Sequence, residues 1–372
     1  MKKTLLLAQC FPPEFGGTAS LYYNICKNLN NNAISVIAKK YSNWKEFDAN
    51  QKFRIYRFDG FSHINSKVIS ESLRILFIVL KDGMDTILYG HINFCLTALI
   101  LKFVFGRNYY LYVHGEEITR NYGGRYYQYF KWKCLKYARG IVVVSEYTKK
   151  LVEKYNNNVK VIYNAIDTSV FVPKIKDREL IVKHGLLEKI VLLTISRLED
   201  RKGHDVVIRV LPKILKIYSN VKYLIVGSGA EEKKLRLLVD ELGLKEYVEF
   251  VGEIPENRLC DYYNLCDIFV MPNRETPDGN TEGFGIVFLE ANACGKPVIG
   301  GNAGGVPSAI RNGYNGFLVN GNNESNVYDK LTVLLKDKDL RSSIGNNALE
   351  WVKGFTYEKL VRELRCFMGL EK

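Results

Sequence analysis

The sequence predicts an α/β protein built from two open, parallel-stranded layers. Two observations carry this. Apolar runs of about four to seven residues alternate with amphipathic stretches along the whole chain, the rhythm of parallel α/β layers, and 372 residues are enough for two cores of ordinary size. The start, "MKKTLLLAQC", mimics a lipoprotein signal, but its apolar segment is too short and runs directly into "FPPEFGG", so it is read as the first strand. "AISVIAK", "DTILYG", "YYLYVHG" and "GIVVVSE" follow as strands of the first half; "KIVLLTIS", "KYLIVGSG", "YVEFVGE", "DIFVMP", "KPVIGG" and "GFLVN" form the second. The proline-bearing stretch "VIYNAIDTSVFVPKIKD" divides them. We therefore expect one Rossmann-like domain over residues 1–165, a linker over 166–177, a second Rossmann-like domain over 178–355, and a C-terminal helix over 356–372 that crosses back to the first domain. Two such sheets facing each other would put their carboxyl-end loops into one interdomain cleft, where open sheets bind ligands.

Composition narrows the partners. The net charge of +13 calls for an anionic one: nucleic acid, a membrane surface or a phosphorylated substrate. No zinc knuckle, RNP-like strand or helix-turn-helix pattern accompanies the charge, which argues against nucleic acid. Residues 120–139, "RNYGGRYYQYFKWKCLKYAR", interleave Arg120, Arg125, Lys131, Lys133, Lys136 and Arg139 with tyrosines and Trp132, without an acid. That mixture suits the headgroup region of an anionic bilayer; the alternative is a solvated helix with its aromatics packed inward. The eight cysteines form no CxxC pair or His/Cys cluster and read as reduced thiols. "INFCLTALILKFVFG" is interrupted by Lys102 and falls short of the roughly 20 residues a membrane helix needs.

The loops after the predicted strands carry the chemistry. "RLEDRKG" offers Arg197 and Lys202, a forked cation and a point charge suited to a diphosphate. Gly227 and Gly229 resemble a dinucleotide fingerprint, but Glu232 stands at the third glycine position, so a dehydrogenase reading is weak. "FVGEI", around Val251, is a strand end where glycine lets backbone groups approach a flat base. In "EGFGIVFLE", residues 282–290, a single continuous helix would leave Glu282 and Glu290 roughly 80° apart around the axis and about 12 Å apart along it. The turn-rich "NRETPDGNT" before them places the helix start near Phe284, with Glu282 in the entry loop and Glu290 about two turns inside. Gly283 and Gly285 would allow close approach, and the free N–H groups of Phe284, Gly285, Ile286 and Val287 would form an anion site. Glu290 among apolar residues needs partners, which ribose hydroxyls can supply; Glu282 can accept from the hydroxyls of a sugar beyond the diphosphate. In the first half, Gly16 and Gly17 precede a helix, a second place for phosphate oxygens, and His114 sits at a strand end.

At these residues the chain resembles a family 4 glycosyltransferase of the GT-B fold, the retaining group that includes phosphatidylinositol mannosyltransferases and lipopolysaccharide and O-antigen transferases. The resemblance runs from "FGG" through "HGEE", "VIYNAID", "SRLEDRKG", "IVGSG" and "EGFGIVFLEANACGKPVIG" to "FTYEKL". Ala165 stands where the hinge motif usually has glycine, a change expected to stiffen the linker. The resemblance implies that Arg197 and Lys202 hold the donor diphosphate with help from the amide of Gly17, that Glu290 binds the ribose, that Glu282 and the amides at Phe284 and Gly285 grip the donor sugar, and that His114 lies near the anomeric centre. It implies same-face transfer of a hexose without a metal or other cofactor. "DKD" at 337–339 reads as a helix boundary. "MPNRETPDGNTEGFGIVFLEA" is most similar to the branch using GDP-mannose, though UDP-sugar enzymes share the loop. The implied acceptor is a lipid-linked saccharide or glycolipid for cell-surface polysaccharide, reached from the cytoplasm at the inner face of the membrane. A non-catalytic sugar-nucleotide-binding protein remains the alternative.

Overall fold

The computed structural model describes residues 2–14, 16–29, 33–61, 67–119 and 124–370. Two compact units result: Met1–Ala165 with Tyr357–Lys372, and Ile166–Thr356. Among the described residues the first holds seven strands, β1 (Thr4–Ala8), β2 (Ile34–Lys39), β3 (Arg54–Phe58), β4 (Thr86–Tyr89), β5 (Tyr109–Val113), β6 (Gly140–Val143) and β7 (Val159–Val161). They lie in the order β3-β2-β1-β4-β5-β6-β7, and every pairing is parallel. β1, β4, β5 and β6 are buried at every position. Covered on both faces, they read as continuous apolar runs. The two edge strands were not legible: β3, "RIYRF", begins exposed, and β7, "VKV", has no buried residue. Only the neighbouring ladder makes them strands.

The second unit holds β8 (Ile190–Ile195), β9 (Val221–Val226), β10 (Val248–Gly252), β11 (Ile268–Met271), β12 (Val298–Gly301) and β13 (Gly316–Val319). Their order is β10-β9-β8-β11-β12-β13, again wholly parallel, and all six coincide with strands expected from sequence. Leu192, Tyr223, Ile268 and Ile299 build its core with Val207 and Leu211 of the His204–Leu215 helix. Both sheets reverse their strand order beside their first strand, β1 between β2 and β4, β8 between β9 and β11. Ligand loops of doubly wound sheets gather at such switch points.

The segment after Ala165 is held along the second unit. Ile166 N donates to Phe355 O (2.8 Å), Lys174 N to Asn264 Oδ1 (2.7 Å), and Lys176 pairs with Asp267 (3.0 Å). The Tyr357–Met368 helix belongs to the first unit. It buries Tyr357, Leu360, Val361, Leu364 and Met368, one helical stripe, packs against the Gly17–Asn28 helix and sets Phe367 edge-on to Tyr110 at 5.8 Å.

The basic segment divides by facing. Arg120 lies outside the described residues, as do its neighbours to Gly123. In the Gly124–Tyr137 helix, Lys131 is wholly buried and donates to Glu117 O (3.2 Å), and Trp132 stacks on Tyr155 at 4.6 Å. Arg125 and Lys136 are exposed. The inward-packed alternative therefore holds for Lys131 and Trp132, because the core takes one side of the helix. Asp337 caps the Lys338–Val352 helix by accepting from Leu340 N (2.8 Å), the boundary expected of "DKD". Among the described residues no helix is long and apolar enough to cross a membrane.

Candidate active site

At the switch point of the second unit, the chain leaving β8 forms a short turn at Asp200–Lys202 before the His204–Leu215 helix. The chain leaving β11 runs through Pro272 to Glu282 and enters the Ile286–Ala293 helix. Glu282 joins the two loops. Its Oε2 lies 2.6 Å from Lys202 Nζ and 2.8 Å from Arg201 Nη1, and Arg201 Nε reaches Glu199 Oε2 at 2.8 Å. Burial alone would raise the carboxyl, but Lys202 and Arg201 outweigh it and hold Glu282 at about 2. It is a permanent anion at neutral pH. Burial also pushes Lys202 down, with Glu282 opposing. Arg197 sits apart: its exposed side chain pairs with Glu199 at 2.9 Å. Of the expected cationic pair, only Lys202 touches Glu282; Arg201 is the second cation on that carboxylate. The sequence could not say which of three basic side chains in one loop turns inward.

The helix after Glu282 begins at Ile286, two residues later than expected. Gly285 is its N-cap at φ 87°, a left-handed turn that glycine adopts freely, and the side chain of Phe284 is buried. The outward amides are thus those of the first turn from Ile286 and Val287, with Phe288 N already directed to Gly285 O (3.1 Å). Glu290 is consequently the fifth helical residue, just over one turn inside instead of two. Tyr263, from the Leu259–Leu265 helix, donates to Glu290 Oε2 at 2.6 Å. Burial pushes Glu290 up to about 7, with this hydrogen bond opposing. Gly283 lies between Glu282 and Phe284, and Glu282 O accepts from Gly305 N at 2.8 Å, pinning the loop.

Gly227 and Gly229 have a mechanical reason to be glycine. A Cβ on Gly227 would sit 2.0 Å from Ser196 O, and one on Gly229 2.4 Å from Leu198 O. They seat the β8 loop. Val251 falls where the β10–β9 register shifts between Phe250 and Gly252, a bulge at the strand end. His204, buried and near Lys202, is pushed down to about 3 by burial, then by Lys202 and Arg274; it stays neutral, 3.1 Å from Ser196 Oγ. Asn273 Nδ2, Asn280 Oδ1 and Thr281 Oγ1, all in the β11 loop, are buried without a partner among the described residues.

In the first unit, Gly16 is the N-cap of the Gly17–Asn28 helix at φ 142°, with no acid in the first turn. Phe15 of the "FGG" loop lies outside the described residues. His114 follows β5, its ring stacked on Tyr112 at 5.3 Å and its Nε2 2.7 Å from Tyr22 Oη. Tyr22 donates its one proton to Gly90 O, so its oxygen accepts from Nε2–H, leaving Nδ1 the unprotonated nitrogen. Burial lowers the His114 pKa. Its backbone N donates to Glu117 Oε1 (2.7 Å), and Lys131 binds Glu117 O, tying down "HGEE". Tyr22, Glu117 and Tyr263 were missed as partners because nothing local to each marks the side chain it meets. Among the described residues no three His, Cys, Asp or Glu side chains gather as metal ligands.

Comparison with known proteins places this arrangement. The family description "Glycosyltransferase Family 4" matches residues 15–170 and "Glycosyl transferases group 1" matches 176–351. The chain is similar to the GDP-mannose-dependent alpha-(1-6)-phosphatidylinositol monomannoside mannosyltransferase of Mycobacterium tuberculosis, 28% identical over 99% of this chain and 98% of that one. It is 26% identical to the monoacylated-substrate counterpart of Corynebacterium glutamicum over 92% and 91%. Among solved structures, Anabaena Alr3699/HepE in complex with UDP and glucose superposes with TM-score 0.84 over the whole of both chains at 20% identity, a likeness of fold. The chain belongs to the glycosyltransferases of the GT-B fold, a family 4 domain followed by a group 1 domain.

Proposed function

We propose that this glycosyltransferase moves a hexose, mannose from GDP-mannose, to a lipid-linked saccharide or glycolipid with retention of anomeric configuration and without a metal ion. The observation that carries the reading is the joined pair of loops at the β8/β11 switch point: an ionised Glu282 clamped by Arg201 and Lys202, followed by Glu290 just over one turn into the next helix. Lys202 and Arg197 take the diphosphate, aided by the amides of Ile286 and Val287 at a helix N-terminus. Glu290 accepts from the ribose hydroxyls, and the backbone at Val251 meets the base. Glu282 accepts from the sugar, and the unpartnered Asn273, Asn280 and Thr281 atoms suit a ligand rich in hydroxyls.

The chemistry follows from charge. As the bond between C1 and the β-phosphate oxygen breaks, negative charge grows on the departing nucleoside diphosphate, and preorganised cations stabilise it. The acceptor hydroxyl attacks C1 on the same face and gives its proton to a phosphate oxygen. In the first unit, which we assign to the acceptor, His114 stays neutral and its Nδ1 accepts from a sugar hydroxyl; Gly16 and Gly17 offer amides to phosphate oxygens. The choice of GDP-mannose and of a lipid-borne acceptor is supported by the names of the mycobacterial and corynebacterial relatives. The net charge of +13, which suits an anionic membrane surface, supports it too, and we place the reaction on the cytoplasmic side.

The test is product formation in EDTA from GDP-mannose and a glycolipid acceptor, with the new linkage assigned by NMR. An α-linked mannoside supports the proposal. A β-linked product, or strict dependence on an added divalent cation, contradicts it; turnover with UDP-hexoses alone replaces the donor and keeps the chemistry.

A further inference from the structure

The first unit gathers its exposed apolar surface in one place. Among its described residues, every large apolar side chain that stands exposed lies on three helices, Lys67–Lys81, Cys95–Phe103 with the following Val104, and Gly124–Tyr137. The second of these packs against both others, so the three form one layer. On the first helix Val68, Ile75, Ile78 and Val79 are buried, while Ile69, Leu73, Phe77 and Leu80 recur at spacings of three and four on the outward side, Phe77 63% exposed. A helix on a sheet needs one apolar face to fold. This one has two, and the core uses only one.

The layer continues in aromatic and cationic residues. Phe103 meets Tyr137 edge-on at 4.9 Å, and Lys133 Nζ lies 5.3 Å from the Tyr129 ring and 5.8 Å from that of Tyr137. Tyr126 is 80% exposed. Glu71 is the one acidic side chain on the three helices, against basic residues on each: Lys67, Arg74 and Lys81 on the first, Lys102 on the second, Arg125, Lys133 and Lys136 outside the core on the third. A broad apolar stripe rimmed by cations and tyrosines matches a flat partner that is apolar at depth and anionic at its surface, which is a bilayer interface.

We propose that this three-helix face docks on an anionic lipid bilayer, with the Ile69–Leu80 stripe entering the acyl boundary and the Tyr129–Lys133–Tyr137 ladder lying among the headgroups. The proposal deepens the reading of a lipid-borne acceptor and rests on it. It also moves the insertion surface from residues 120–139 to the Lys67–Lys81 helix, since Lys131 and Trp132 of the former face inward.

Flotation of the full chain with phosphatidylcholine vesicles, with and without phosphatidylglycerol, tests it. Two double variants, Leu73→Glu with Phe77→Glu and Lys133→Glu with Lys136→Glu, accompany the wild type, and GDP and UDP titrations on the same preparations report whether fold and donor site are intact. The wild type should float with the anionic vesicles. Each variant should lose roughly tenfold or more in partitioning, with nucleotide binding unchanged. Unchanged flotation of the Leu73/Phe77 variant overturns the proposal. So does conversion of an oligomer to a monomer by that variant with flotation retained, which would make the face a contact between copies. Lipid-dependent flotation that the variants lose, in a protein that binds neither nucleotide, keeps the docking face and contradicts the donor reading instead.

Discussion

Two glutamates eight positions apart are shifted in opposite directions by their surroundings. Glu282 keeps its charge because two cations meet it; Glu290 has a tyrosine and little else, so burial carries it up to about 7. For Glu290 the folded value lies above the unfolded one. Its contribution to stability is therefore complete below the ordinary carboxylate range and is lost as pH rises to about 7. A ribose that donates to the carboxylate favours the ionised form, so affinity for GDP or UDP should rise as pH passes through about 7, measured by calorimetry across a pH series. Glu290→Gln should flatten that rise, and Tyr263→Phe should move its midpoint upward, since the lost hydrogen bond is the one that lowers the pKa. Glu282→Ala leaves Arg201 and Lys202 buried without their shared anion, and urea unfolding should show a loss of about 3–5 kcal/mol. Adding Lys202→Ala should recover part of that loss. The two glutamates could be singled out from sequence because glycines and apolar residues isolate them. Arg201 and Tyr263 could not, because what distinguishes them is the neighbour that tertiary structure brings.

The same contrast holds among elements. Strands buried on both faces announced themselves as apolar runs, and all six of the second sheet were legible. β3 and β7 lie at the edges of the first sheet, where one side has no neighbouring strand and sequence need not be apolar. The Ile286–Ala293 helix was legible in kind but began later, because Gly285 turns left-handed before the first helical bond can form. That turn is a sharp point of attack. In Gly285→Ala the added Cβ would meet the Phe288 ring at 2.6 Å in a backbone region that alanine disfavours, for a cost of about 1–3 kcal/mol. Thermal unfolding should show the loss, and nucleotide affinity should fall with it as the first-turn amides shift.

Across the whole chain, two parallel sheets with matching switch points divide the work. On the proposed function, the second unit reads a nucleotide sugar with paired charges at its switch point; the first presents a neutral histidine and, through three adjoining helices, a cationic and apolar face. On that face Lys67, Arg74, Lys81, Lys102, Arg125, Lys133 and Lys136 stand against Glu71 alone, so vesicle binding should weaken as salt is raised, while nucleotide binding at the largely buried Lys202 should weaken less. Everything proposed for the second unit depends on its holding a nucleoside diphosphate through Glu290 and the Arg201–Lys202 loop. The decisive experiment is calorimetric titration of the wild type and Glu290→Ala with GDP and with UDP, in EDTA. The wild type should bind GDP without metal and more tightly than UDP, and the variant should lose most of that affinity. Binding of neither nucleotide, or equal binding by wild type and variant, would contradict this assignment.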